Sequence, residues 1–194
     1  MNRFIKTIIL IGLFTISHLW GQFESPVTLS AKAESSVRAG EVVNIIVKAE
    51  MDAEWKIYAL RDQGEGPIAT RVVVTGEIIE ASGLVWEDEP VEKYDDGFLT
   101  TTRTHQGGAI FKAPILVKSD LSPGKYNLSV NVLFQVCNAS LCYPPKEEVL
   151  TITVTVEGGT ARDDRTDMVL VTEVFDDFGN INLDAAIDEG FFSF

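Results

Sequence analysis

From Val27 to Val156 the apolar side chains recur at every second position, and that period of two narrows the fold more than any other feature of the chain. Val27, Leu29, Ala31 and Ala33 alternate with polar residues, and after the Ala39-Gly40 turn Val43, Ile45, Val47 and Ala49 do the same. Trp55, Ile57 and Ala59 continue the pattern, and Arg71 to Thr75 is a short β-branched run. Leu121-Ser122-Pro123-Gly124 signals a turn that opens the clearest alternation, Tyr126, Leu128, Val130, Val132, Phe134 and Val136. Leu150, Ile152, Val154 and Val156, with threonines between them, close the series. Successive side chains of a strand point to opposite faces, whereas an amphipathic helix needs apolar residues three and four apart. Many short alternating strands separated by Gly, Pro and Asp turns predict an all-β, antiparallel β-sandwich over residues 22–157, with no helix inside it.

The two ends read differently. A basic start, Met1 to Lys6, precedes the apolar run Thr7 to Trp20, and Gly21-Gln22 offers a cleavage junction. This is the pattern of a secretory signal peptide over residues 1–21, with an uncleaved anchor as its rival. Cleavage would remove Arg3 and Lys6 and no acid, taking the net charge from −13 to −15. So acidic a chain lacks the clustered cations that phosphate binding needs, so nucleic acid is excluded as a partner. Residues 158–190 begin as a polar linker, Gly158 to Arg165, and include a weakly amphipathic stretch, Ile181 to Ile187. Residues 191–194 (Phe-Phe-Ser-Phe) read either as the start of a membrane segment or as an apolar tail docked on the sandwich.

The chain's two cysteines lie in Val136-Cys137-Asn138-Ala139-Ser140-Leu141-Cys142-Tyr143-Pro144-Pro145. Alternation puts Cys137 at a strand end, on the face opposite Val136, and residues 138–141 can turn the chain back. Cysteines facing each other across the mouth of such a hairpin can bridge, and export would let the bridge persist. A bridge that closes so small a loop stabilises at the low end of the usual range, which favours a functional pair over a structural staple. Metal binding is the weakest option, because two thiolates with only His18 and His105 make a poor four-ligand site. His105 reads as an exposed turn residue, and serine catalysis lacks a base.

At Cys137–Pro145 the chain resembles the N-terminal periplasmic domain of the thiol:disulfide interchange protein DsbD family. That domain has an immunoglobulin-like fold and carries a closely spaced cysteine pair followed by Tyr-Pro-Pro. Trp55-Lys56-Ile57-Tyr58 is similar to the family's aromatic strand, and Trp86-Glu87-Asp88-Glu89 to its acidic loop. Two departures stand out. The family pattern has one residue more between the cysteines than the four here, and its acidic loop runs into an aromatic that caps the disulfide, where this chain has Pro90. Tyr94 or Phe98 is the expected substitute cap.

The resemblance implies a protein-disulfide reductase domain at work in the periplasm, with the redox-active disulfide in place of any cofactor. Cys142 would meet partners and Cys137 would resolve the mixed disulfide, framed by Tyr58, Tyr143 and Pro144. A C-terminal thioredoxin-like domain would supply electrons, itself drawing on cytoplasmic thioredoxin through a membrane domain that follows the sandwich and that residues 191–194 would begin. Oxidised periplasmic thiol proteins, such as a disulfide isomerase or a cytochrome c maturation thioredoxin, would accept the electrons. If Glu87, Asp88, Glu89, Glu92, Asp95 and Asp96 lie over the pair, they disfavour a thiolate, and by sequence only Lys93 and Arg103 stand near to oppose them. The rival class is a secreted immunoglobulin-like binding or structural module whose disulfide stays shut.

Overall fold

The structure, a computed structural model, describes residues 25–60 and 66–167. The expected signal peptide and membrane-segment start, and the stretch Ile181 to Ile187, lie outside those residues. Among the described residues the regular elements are strands, apart from one 3-10 turn at Asp163–Arg165, as the period-two pattern predicts. No helix there is long and apolar enough to cross a membrane.

Three sheets, antiparallel but for one strand pair, form the expected immunoglobulin-like sandwich. The first runs β1 (Val27–Ala33), β3 (Val42–Met51), β10 (Gly108–Val117) and β6 (Ile79–Ser82), with β7 (Trp86–Glu87) also on β10. The second runs β2 (Val37–Arg38), β13 (Lys146–Glu157), β11 (Gly124–Phe134) and β5 (Arg71–Thr75), with β2 parallel to β13. The third, which carries the cysteines, runs β12 (Val136–Cys137), β4 (Lys56–Tyr58), β9 (Thr100–Gln106) and β8 (Val91–Asp95). One core takes the inward residues of all three, among them Ile45, Val47, Phe111 and Ile115, then Leu128, Val130, Val132, Phe134, Ile152 and Val154, then Ile57 and Val136. The even-numbered residues from Leu128 to Val136 are all buried, so the alternation reads true through the break at Gln135, where the chain leaves the second sheet for the third.

The segment after β13 is not slack. Gly40, at φ 78°, turns the chain so that Glu41 points inward with no exposed surface. Its Oε1 accepts the Arg162 backbone N–H and Nε, both at 2.7 Å, and its Oε2 accepts Arg162 Nη2 at 2.6 Å and the Arg38 backbone N–H at 2.9 Å. Arg165 adds a bond to Ser35 Oγ at 3.0 Å. The first residues of the expected linker are thus held against the sandwich by a paired buried charge. The Arg162 hydrogen bond outweighs burial and holds the Glu41 carboxyl down to about 2.

Candidate redox site

Gln135 positions the cysteine hairpin. Its Nε2 donates to the Tyr143 carbonyl at 3.3 Å, and its Oε1 accepts the Ile68 backbone N–H at 2.9 Å. Beyond it, Asn138 closes the turn by accepting the Ser140 and Leu141 backbone N–H groups on its Oδ1, both at 2.8 Å. The residues flanking the cysteines are hydrogen-bonded, Asn138 N–H to Leu141 O at 2.9 Å and Tyr143 N–H to Val136 O at 3.0 Å. That pattern makes Cys137 and Cys142 a non-hydrogen-bonded antiparallel pair, the type whose α-carbons approach most closely. Their Cα–Cα separation is 4.1 Å, and the two sulfurs are joined. Pro144 and Pro145, which lack N–H groups, interrupt pairing until Lys146 meets Phe134.

The two cysteines differ in access. Cys137 is 1% exposed, although it faces away from the main core, while Cys142 is exposed. A second, smaller layer covers Cys137. Directly paired residues share a face, so the face of Cys137 carries Lys56, Tyr58, Thr104 and Gln106, and the opposite face carries Val136, Ile57 and His105. On β8 the same rule places Asp95 and Lys93 on the Cys137 face, through Thr100 and Thr102. Asp95 nevertheless reaches back to Lys56, Oδ2 to Nζ at 2.7 Å, so the β8–β9 hairpin curls over this face. Its tip sets Phe98 edge-on to Tyr58, ring centroids 6.1 Å apart, and Tyr58 is 3% exposed.

Charge in this layer is tightly managed. Asp95 Oδ1 accepts the Gly97 N–H at 3.0 Å, so one carboxylate ties the hairpin turn to Lys56. Burial opposes its ionisation, but the hydrogen bond and charge of Lys56 and the Gly97 and Phe98 backbone outweigh that and hold the carboxyl below its usual range. Burial, with the Asp95 charge behind it, pushes the Tyr58 phenol up, so Tyr58 stays neutral. Lys56 Nζ sits 5.5 Å from the Tyr58 ring centroid.

Several expected site residues lie elsewhere. Glu87 does not lie over the cysteines. It accepts the Leu60 N–H at 2.8 Å and meets His105 Nε2 at 3.1 Å, on the reverse face of the third sheet. Asp88 bonds Ile110 through backbone and side chain, and Glu89 is exposed beyond it. The reason is β7, which pairs with β10 and carries the acidic triplet to the first sheet. His105 is 4% exposed and edge-on to Phe111, not an exposed turn residue, because Glu87 satisfies its ring nitrogen in the interior. Of the two aromatic candidates for the cap, Phe98 meets Tyr58, whereas Tyr94 pairs with Thr101 and is exposed on the other face. Tyr143 stacks on Trp55, centroids 5.2 Å apart and 7° between planes, and so braces the return strand. Pro144 is exposed beside it. Sequence proximity alone points to Lys93 and Arg103 as the nearby cations. Register shows Lys56, on a strand far away in sequence, beside Cys137.

Residues 24–154 match the model of the family "Thiol:disulfide interchange protein DsbD, N-terminal". The chain belongs to this family. No curated protein matches the sequence. Among solved structures, the N-terminal periplasmic domain of ScsB from Proteus mirabilis is 20% identical at TM-score 0.44, covering 64% of this chain and 44% of that one. The DsbD N-terminal domain of Neisseria meningitidis in its reduced form is 17% identical at TM-score 0.39, covering 62% and 86%. The complex of the DsbD and PilB N-terminal domains from the same organism is 17% identical at TM-score 0.39, covering 69% and 86%. The chain thus spans less than half the length of the matched ScsB structure. Membership of a DsbD N-terminal family places the chain among thiol-disulfide exchange domains, and the cysteine pair is its candidate redox centre.

Proposed function

We propose that Cys137 and Cys142 carry two electrons from a thioredoxin-like donor to oxidised periplasmic thiol proteins. The observation that carries this is the difference in access, an exposed Cys142 bonded to a Cys137 sealed beneath the curled hairpin. An incoming thiolate meets Cys142 first, and Cys137 is the sulfur released and later the one that resolves. The disulfide is the redox group, so no cofactor enters the step. Phe98 and Tyr58 shield the buried sulfur from small thiols until a partner displaces the hairpin. The acceptors in this reading are oxidised thiol proteins that dock over Cys142, with an isomerase and a cytochrome c maturation thioredoxin as the classes to test. The domain works in the periplasm, tethered to the inner membrane through a membrane domain of the larger protein. A permanent staple accounts less well for the site, because the bridge joins strand ends already held by two backbone hydrogen bonds.

Single-cysteine variants test the assignment. Incubated with an oxidised thioredoxin-like protein, Cys137→Ala should accumulate a mixed disulfide through Cys142, and Cys142→Ala should accumulate far less. Failure of both variants to trap the partner would return the chain to the class of binding modules with a closed disulfide.

A further inference from the structure

Across the third sheet at the level of the disulfide, one row of register partners reads Gln106, Lys56, Cys137 and Cys142. Lys56 and Cys137 therefore stand side by side on one face, with Cβ atoms roughly 4.5–5.5 Å apart. The Lys56–Asp95 pair is largely enclosed, with side chains 20% and 12% exposed. Other groups on this face leave the local balance to these two. Tyr58 is neutral, Thr104 and Gln106 carry no charge, the turn 138–141 has none, and Lys93, on the same face of β8, and Asp96 are both solvent-exposed and so screened.

We infer that Lys56 is the positioning residue that sets the ionisation of Cys137, with Asp95 as its counter-charge. The inference rests on the thiol-disulfide reading above. In the step it serves, a partner thiolate attacks Cys142 Sγ and forms a partner–Cys142 bond. The Cys137–Cys142 bond breaks, and its electron pair remains on Cys137 as a thiolate. In the return step that thiolate attacks Cys142 Sγ and expels the partner's sulfur as a thiolate. Both directions put a full negative charge on a residue that is 1% exposed, where an uncompensated anion is costly. An ammonium on the neighbouring strand offsets that cost, and a thiol with a stabilised thiolate leaves faster. Closed, the hairpin keeps Lys56 neutralised by Asp95. When a partner lifts the hairpin, Asp95 goes with it, and Lys56 turns to the sulfur. The same disulfide is thus inert under its cover and activated once the cover is displaced.

The test follows the thiolate ultraviolet absorbance of Cys137 against pH in the full chain carrying Cys142→Ala. Adding Lys56→Met should weaken the acidity of Cys137 about tenfold or more. Adding Asp95→Asn should strengthen it, and Lys56→Arg should restore the starting value. A lysine that only held the sheet together would shift unfolding midpoints without moving the thiol in opposite directions. Equal titrations in all variants, or shifts of one sign, would overturn the inference, and Asp95→Asn keeps it testable should Lys56→Met fail to fold. The unaltered disulfide decides the underlying reading separately. If it cycles in thiol buffer while Cys137 ignores Lys56, only this role falls; if it cannot be reduced, the redox reading falls as well.

Discussion

One face of the sheet β12–β4–β9–β8 gives Ile57 and Val136 to a continuous apolar core, and the other gives Lys56, Tyr58 and Cys137 to a thin layer closed by a hairpin tip. The first face is sealed by whole strands, β3 and β10, whose inward residues are almost without exposure. Exposing it means unfolding the domain. The second is closed by one ion pair, whose desolvation offsets much of its attraction, and one aromatic edge contact worth on the order of 1 kcal/mol. A closure that weak opens locally while the rest of the domain stays folded. A redox centre that must be hidden from small thiols yet reached by proteins belongs on the second kind of face.

The largest expected effect separates the two faces cleanly. Phe111→Ala removes a ring with no exposed surface, and should cost about 3–5 kcal/mol in chemical denaturation. Where the variant is still folded, its reduction rate by a small thiol should match the parent, because Phe111 lies on the sealed side. Next comes the buried pair behind β2. Arg162→Ala removes the guanidinium and leaves the Glu41 carboxylate held only by the Arg38 and Arg162 backbone N–H groups, at a cost of about 2–3 kcal/mol. Its pH signature has a definite sign. The carboxyl is held at about 2 in the folded chain against an ordinary value of 4.5, so its stabilisation is complete above the higher value and is lost as pH falls towards the lower. Acid unfolding curves of parent and variant should therefore converge over that window. The smallest stability effect should carry the largest chemical one. Phe98→Ala should cost about 1 kcal/mol, yet speed reduction of the disulfide by dithiothreitol severalfold. Equal rates for Phe98→Ala and the parent would mean that the hairpin does not shield the sulfurs.

How much of this was legible in the sequence depended on range. Alternation within one strand is a local property, so the core face from Leu128 to Val136 and the off-core position of Cys137 could be read directly. The burial of Cys137 could not, because it depends on the β8–β9 hairpin folding back through Asp95 and Lys56. The acidic triplet misleads because the family pattern sets it near the cysteines, whereas here β7 pairs with β10 and takes Glu87 to His105. Lys56 went uncounted for the same reason, since its place beside Cys137 is a matter of register between β4 and β12. Glu41 and Arg162, 121 positions apart, gave no sequence signal of pairing, and a segment that looked like open linker is docked by them.

The central claim is that the Cys137–Cys142 bond opens and closes as part of the domain's work. The most direct test is a redox titration of the chain in thiol buffers, counting free thiols by alkylation and mass. The account predicts a midpoint between about −270 and about −180 mV, where thioredoxin-like and isomerase-like pairs exchange electrons. A bridge that stays closed at potentials well below about −300 mV would be a structural staple, and would contradict it.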